Sequence, residues 1–408
     1  NWPGVGTFFQ GRLWLASTPD QKQTFWGSKT NAYETFSAPV DPDNPLDNES
    51  IKFTLTKYGR IEWMVGTKTL VIGTDNAEHI VTGNAGVSGD TPDGLITGRS
   101  IQVEQQSAYG SKSIQAIQVG DQIFFVSPDG LKLRAMQYEW TSNNWLSRDL
   151  TFFSEHITES GIVDIAWAPN PDQLFWCVLE NGDAACLSYE RGENIYGWHK
   201  HNTEGKFIDM AVGSYYGKSE LVAVTQRIAD EINLEIQDNN YYMDAIQEST
   251  SATPTTTFPG YLHLAGREVQ VLLDGAVHPN VIVGLDGTIT TEYPGLQCVA
   301  GTPFTPVLET LPWDMRMQSG SAQPYRKRYN KLLISLLDSA EPLVNGERQP
   351  TRYPSSPMNL RQPDNVGLSR TTKVDLGWDL DSTVRIEQDL PLACTVLSIS
   401  GEHSSEKL

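Results

Sequence analysis

His199 and His201 flank Lys200 in GWHKHN, and residues at i and i+2 of a strand share one face. That spacing suits two imidazole ligands of a metal ion. A zinc site needs at least a third protein ligand, and no third candidate stands near this pair, so plain strand positions are the expectation. DPDNPLDNES, residues 41–50, gathers Asp41, Asp43, Asp47 and Glu49. It lacks the central Gly and the distant bidentate Glu of an EF-hand loop, and reads as an acidic loop between repeating units. Carboxylates are plentiful enough for a glycosidase pair, and 11 tryptophans could form sugar platforms. Yet Trp14, Trp26, Trp63, Trp167 and Trp176 fall inside expected strands, where core packing accounts for them. There is no nucleophile elbow with a Ser/His/Asp order, no phosphate-binding glycine loop and no CxxC pair. No catalytic, cofactor-binding or metal-ligating residue is assigned, no cofactor is implied, and a non-enzyme is expected.

The charge balance narrows the partners. The 408 residues carry 30 Lys+Arg against 50 Asp+Glu, a formal net charge of −20. Tight phosphate binding draws on clustered Lys and Arg, so a sequence-reading DNA binder is not expected. An acidic surface suits a wall that DNA passes without adhering, or serves solubility alone. The strongest basic run is YRKRYNK, residues 325–331, which fits a charge-complementary protein interface better than a nucleic-acid site. No apolar run approaches the roughly 18 residues of a membrane-spanning helix.

Four cysteines, Cys177, Cys186, Cys298 and Cys394, are too few and scattered for a disulfide scaffold. In FWCVLENGDAACLSY, Asn181-Gly182 signals a two-residue hairpin. Counting outward from that turn sets Cys177 opposite Cys186. Two reduced core thiols are expected there, with a cross-strand disulfide as the alternative.

The elements that would position these groups repeat. Leu13-Trp14-Leu15, Leu70-Val71-Ile72, Ile123-Phe124-Phe125, Leu174-Phe175-Trp176 and Leu221-Val222-Ala223 are apolar triplets, each preceded by small or polar residues. Their first residues lie 57, 53, 51 and 47 positions apart. A strand precedes each triplet (VGTFF, IEWMVG, IQAIQVG, VDIAWA, FIDMAVG), and a turn and another strand follow it (QTFWGS, EHIVTG, LKLRAMQY, AACLSYE, INLEIQD). IKFTLT, SIQVEQQ, DLTFFSE and YGWHKH fill most of the gaps as fourth strands. Four short strands per unit of about fifty residues is the arithmetic of a β-propeller blade. The expected fold is all-β, a propeller with about five four-stranded blades visible, followed by smaller β domains. A β-sandwich, the runner-up, does not call for one apolar strand at so regular an interval.

The expected domains are a propeller over 1–240, a small β domain over 241–312 opened by a Thr/Ser/Pro-rich loop, and a C-terminal β platform over 313–408. The last holds a Pro-rich loop at 342–367 and closing strands KVDLGW, STVRIEQD and CTVLSIS.

One ordered series of motifs runs through the whole chain. It comprises FFQGRLWLAST, TFWGSK, VIGTDNAEHIVTG, SIQVEQQSAYGS, GIVDIAWAPNPDQLFWCVLENGDAACLSYERGENIYGWHKH, YYMDAIQES, LLDGAVHP, YRKRYNK and GWDLDSTVRIEQDLPLACTVLSIS. The series resembles the tail hub or nozzle proteins of short-tailed bacteriophages. The resemblance implies a structural virion protein in a ring, typically six-fold, below the head–tail adaptor. Such a ring lines the DNA ejection channel, helps hold packaged DNA, and offers attachment to tail fibres or spikes. It implies location in the phage tail after assembly in the host cytoplasm, with DNA passing non-specifically and no membrane partner. Members of the family usually carry a β-rich segment before the strand matched by FFQGRLW, so a chain that starts at a domain boundary inside a longer tail protein is expected. The competing expectation is a carbohydrate-binding or carbohydrate-cleaving β-propeller.

Overall fold

The computed structural model describes residues 2–83, 94–141, 144–215, 217–227, 231–314, 316–317, 320–340, 342–348, 368–374 and 377–406. Two compact units divide it, Asn1–Gln237 and Asp238–Leu408.

The first unit is a β-propeller array of five consecutive antiparallel sheets. Sheet one holds β1 (Val5–Phe9), β2 (Arg12–Ala16), β3 (Thr24–Gly27) and β4 (Ile51–Thr54) in that order. Sheet two holds β5 (Ile61–Gly66), β6 (Leu70–Thr74), β7 (Glu78–Gly83) and β8 (Ile101–Ser107). Sheet three holds β9 (Ile117–Val119), β10 (Gln122–Val126), β11 (Leu133–Glu139) and β12 (Asn144–Asp149). Sheet four holds β13 (Ile162–Ala168), β14 (Leu174–Leu179), β15 (Ala184–Glu190) and β16 (Ile195–His201). Sheet five has three strands, β17 (Lys206–Tyr215), β18 (Lys218–Gln226) and β19 (Ile232–Ile236).

The repeated apolar triplets lie on β2, β6, β10, β14 and β18, the second strand of every sheet. Side chains alternate across a strand, so the second strands of sheets two, three and four each face two neighbours. Ile72 packs with Trp14 and Phe25 toward sheet one, while Val71 packs with Ile123 and Phe125 toward sheet three. Phe124 meets Phe175 and Cys177, and Trp176 meets Leu221 and Ala223. Four apolar layers thus join five sheets. The first strands also neighbour one another, with β1 against β5 and β13 against both β9 and β17.

Two expectations differ in this unit. DLTFFSE is not a strand; the fourth strand of sheet three is Asn144–Asp149, and Phe152 and Phe153 are exposed beyond it. The acidic loop 41–50 connects β3 to β4 within one sheet, not one blade to the next. Its anchor is Arg12, whose guanidinium is buried and donates to the carbonyls of Ser28 (2.5 Å), Asp47 (2.5 Å) and Glu49 (2.6 Å). Backbone oxygens that a cation would have to claim are already held by this side chain.

In the second unit, β20 (Asp244–Phe258), β21 (Glu268–Leu273), β22 (Ala276–Ile282) and β23 (Ile289–Thr302) pair in the order β20-β23-β21-β22. The Thr/Ser/Pro tract expected as a loop is β20 itself. Threonine is β-branched and favours strands, and Pro254 is tolerated because β20 is the sheet edge. Phe258, Tyr261, Val269, Val271 and Ile289 form the core of this sheet.

Further on lie β24 (Val307–Glu309), β25 (Arg316–Met317), β26 (Gly320–Ser321), β27 (Arg326–Leu337), β28 (Leu343–Val344), β29 (Glu347–Arg348), β30 (Leu368–Val374), β31 (Arg385–Glu387) and β32 (Thr395–Glu406). The order β30-β27-β32 makes one sheet, and β24-β31-β28-β29 another. Leu332, Ile334, Leu336, Val344, Val384 and Ile386 pack between them. The expected Pro-rich loop begins as the β28–β29 hairpin, and its part at 349–367 lies outside the described residues. The strand expected at KVDLGW lies earlier, over Leu368–Val374.

Replacing Arg12 with Met would leave three loop carbonyls without their donor. We expect Arg12→Met to lower unfolding stability by about 2–4 kcal/mol in urea titration, since orphaning buried acceptors costs their desolvation.

Candidate functional site

Three of the first strands are bulged at one equivalent place. The register skips a residue between Ile61 and Trp63 in β5, between Ile162 and Asp164 in β13, and between Phe207 and Asp209 in β17. A bulge sets two residues against one and re-aims a side chain. In the two adjacent strands β13 and β17 it delivers Asp164 and Asp209. Their carboxyls hydrogen-bond to one another, and Oδ2 of Asp164 also accepts from the Met210 N–H (3.3 Å). Burial first, and then the bond to Asp209, push the Asp164 carboxyl up to about 6. Asp164 is therefore the carboxyl that keeps its proton under mildly acidic conditions.

Such a pair is a proton store and a pH-dependent clasp between sheets four and five. It is a poor glycosidase pair. Retaining enzymes set their two carboxyls about 5 Å apart and inverting enzymes wider, with the glycosidic bond between them. Carboxyls in direct hydrogen-bond contact leave no such gap.

The residues singled out from sequence lie elsewhere. His199 and His201 do share a face of β16, where Nδ1 of His199 and Nε2 of His201 are 2.8 Å apart in one hydrogen bond. His201 lies against the Trp176 ring, ring centroids 4.8 Å apart, and removal from water lowers it to about 4, with His199 adding to the shift. Both imidazoles satisfy each other, and among the described residues no cluster of three or more His, Cys, Asp or Glu could hold a metal ion.

Cys177 and Cys186 are not cross-strand partners. The observed register pairs Cys177 with Ala185 and Cys186 with Trp176, one residue off the expected hairpin. A slip of one residue turns a side chain to the opposite face, so Cys177 enters the layer shared with sheet three and Cys186 the layer shared with sheet five. Both are free thiols, and burial raises Cys177 well above its usual value and Cys186 to about 12.

The basic run lies on β27, and part of its charge is spent inside the unit. Lys327 is buried, donates to the Trp313 carbonyl (3.2 Å) and lies over the Trp313 ring at 5.5 Å. The Arg328 guanidinium sits 4.9 Å from the Trp378 ring centre. Arg326 and Lys331 remain exposed and could meet an acidic partner. Of the tryptophans read as core, Trp14, Trp63 and Trp176 are buried.

Sequence reasoning missed the aspartate pair, Arg12 and Glu78. Glu78 is wholly buried and receives the hydroxyls of Ser107 and Ser111, and burial raises its carboxyl. A signal for the pair was present. IVDIA at 162–166 and FIDMA at 207–211 place a lone Asp at the same offset in an apolar strand of consecutive repeats.

No family model matches the sequence, and no curated protein matches it. Among solved structures, one similar chain comes from the crystal structure of Kap60 bound to yeast RCC1 (Prp20), at 12% identity and TM-score 0.31, covering 53% of this chain and 52% of that one. A luciferin-regenerating enzyme aligns at 9% identity and TM-score 0.24, over 58% of this chain and 92% of the other. The major allergen Mala s 1 of Malassezia sympodialis aligns at 10% identity and TM-score 0.28, over 58% and 93%. These alignments are too loose to bear on activity, and the fold stands on the sheets described above.

The Asp164 carboxyl keeps in the folded chain a proton that the unfolded chain releases near its ordinary value of 3.8. Its stabilising effect is full below that value and is lost as pH rises through about 6. We expect the wild type to lose melting temperature between about pH 4 and pH 6, and Asp209→Asn to flatten that fall. An unchanged slope in differential scanning calorimetry would mean the pair does not share a proton.

Proposed function

We propose that this protein is a non-enzymatic structural component of a bacteriophage tail. In this reading it forms a ring-shaped hub or nozzle below the head–tail adaptor, lines the DNA ejection channel and helps retain packaged DNA. The observation that carries the proposal is the ordered series of motifs, from FFQGRLWLAST to GWDLDSTVRIEQDLPLACTVLSIS, spread over the chain.

Two features support it. The net charge of −20 disfavours adhesion of a polyanion, which a conduit for DNA requires. The exposed ends of the basic run, Arg326 and Lys331, offer an acidic partner a place to dock on an otherwise acidic molecule. The Asp164 and Asp209 carboxyls, hydrogen-bonded to each other, do not have the separation of a glycosidase pair.

Negative-stain microscopy of the full chain mixed with its adaptor should show rings with a central opening. A protein that stays monomeric beside its adaptor would contradict the proposal. Host surface polysaccharides incubated with the protein should keep their length; depolymerisation would support the alternative.

A further inference from the structure

Among the described residues, sheets one to four of the propeller array end in a fourth strand, and sheet five stops at β19. β19 is therefore an edge. Over it, Ile232, Leu234 and Ile236 point to one face and are 68%, 73% and 61% exposed. Val224 and Val222 stand opposite Leu234 and Ile236 on β18 and continue the same apolar stripe inward.

Open edges are normally blunted by Lys, Pro, a bulge or a covering element. β19 has neither Lys nor Pro, and its pairing with β18 runs without a register shift from Gln226↔Ile232 to Val222↔Ile236. The charge within the strand, Glu235, is tied to Arg227, whose Nε donates to it at 2.8 Å. The edge is regular and apolar on one face, with Glu235 on the other held beside Arg227.

We propose that β19 pairs antiparallel with β19 of a second copy of this chain, about a two-fold axis at Leu234. Charge selects this register. Centred on Leu234, the pairs are Glu231 with Gln237, Ile232 with Ile236, Asn233 with Glu235, and Leu234 with itself. Centring on Asn233 sets Glu231 against Glu235, and centring on Glu235 sets that carboxylate against its own copy; like charges directly opposite are unfavourable. An axis between residues sets Ile232 against Glu235 and so mixes polar with apolar faces.

The Leu234 register gives an isologous interface and one continuous sheet through two copies. The contact is small, below the roughly 1,200 Å² of stable complexes, so the dimer is a weak one with a dissociation constant of about micromolar order. It rests on this edge alone and is separate from the tail reading, since contacts around a cyclic ring are heterologous and use other surfaces.

Sedimentation velocity of the full chain should show a concentration-dependent dimer. Leu234→Lys should weaken it by about tenfold or more, with circular dichroism and melting unchanged because the side chain is exposed. In a Cys394→Ser background, Leu234→Cys should form an inter-chain disulfide on mild oxidation, being self-opposed, while Asn233→Cys should not. A chain that stays monomeric at high concentration, or a dimer indifferent to Leu234→Lys, overturns the pairing. Rings in the microscope without a Leu234→Cys cross-link would overturn this pairing and leave the tail reading standing; β19 dimers without rings would do the reverse.

Discussion

A four-stranded sheet whose second strand is apolar on both faces cannot stand alone in water. Each face must lie against another sheet, and the second strand can satisfy its backbone only through the strands on either side of it. The central strands β6 and β10 meet this constraint in full, with every residue buried. Burial of one Leu, Ile or Phe is worth about 1.5–3 kcal/mol, so four apolar layers of this kind dominate the balance. The array is held by stacking, and loops and charges are fitted to it.

Several details follow from the need to bring sheets close. Gly73 sits where the Trp63 indole crosses β6, and any Cβ there would collide with the ring. The bulges in β5, β13 and β17 let first strands converge beside one another while the second strands keep an unbroken ladder. That convergence turns one carboxyl toward the next and makes a shared proton cheaper than two charges. The long acidic loop of sheet one is carried on a single buried guanidinium, so acidity at the surface coexists with a fully donated interior.

The blade period was legible because each second strand is a continuous apolar run: all five expected triplets lie on second strands, and three of the four expected fourth strands fall where the pattern set them. What was hidden has physical reasons. DLTFFSE has strand composition, yet Phe152 and Phe153 lie in the open after β12, and composition alone does not distinguish them. The Thr/Ser/Pro tract lacks an apolar stripe, so its place as the edge β20 depends on pairing with the distant β23. The two core thiols are free as expected, but their facing was missed by one residue of turn length, since Asn181-Gly182 closes a longer loop than a two-residue hairpin and shifts the register. The aspartate pair needs both neighbouring repeats and a bulge in each, which no single segment reveals.

The central claim is that stacking of both faces of the second strands holds the array together. Native-state amide hydrogen exchange tests it most directly, because protection tracks the free energy of opening each segment. The account predicts the slowest exchange at β6, β10 and β14, with the fourth strands β4, β8, β12 and β16 opening more readily. Equal or greater protection in the fourth strands, or second strands that open one sheet at a time as isolated hairpins would, would contradict it.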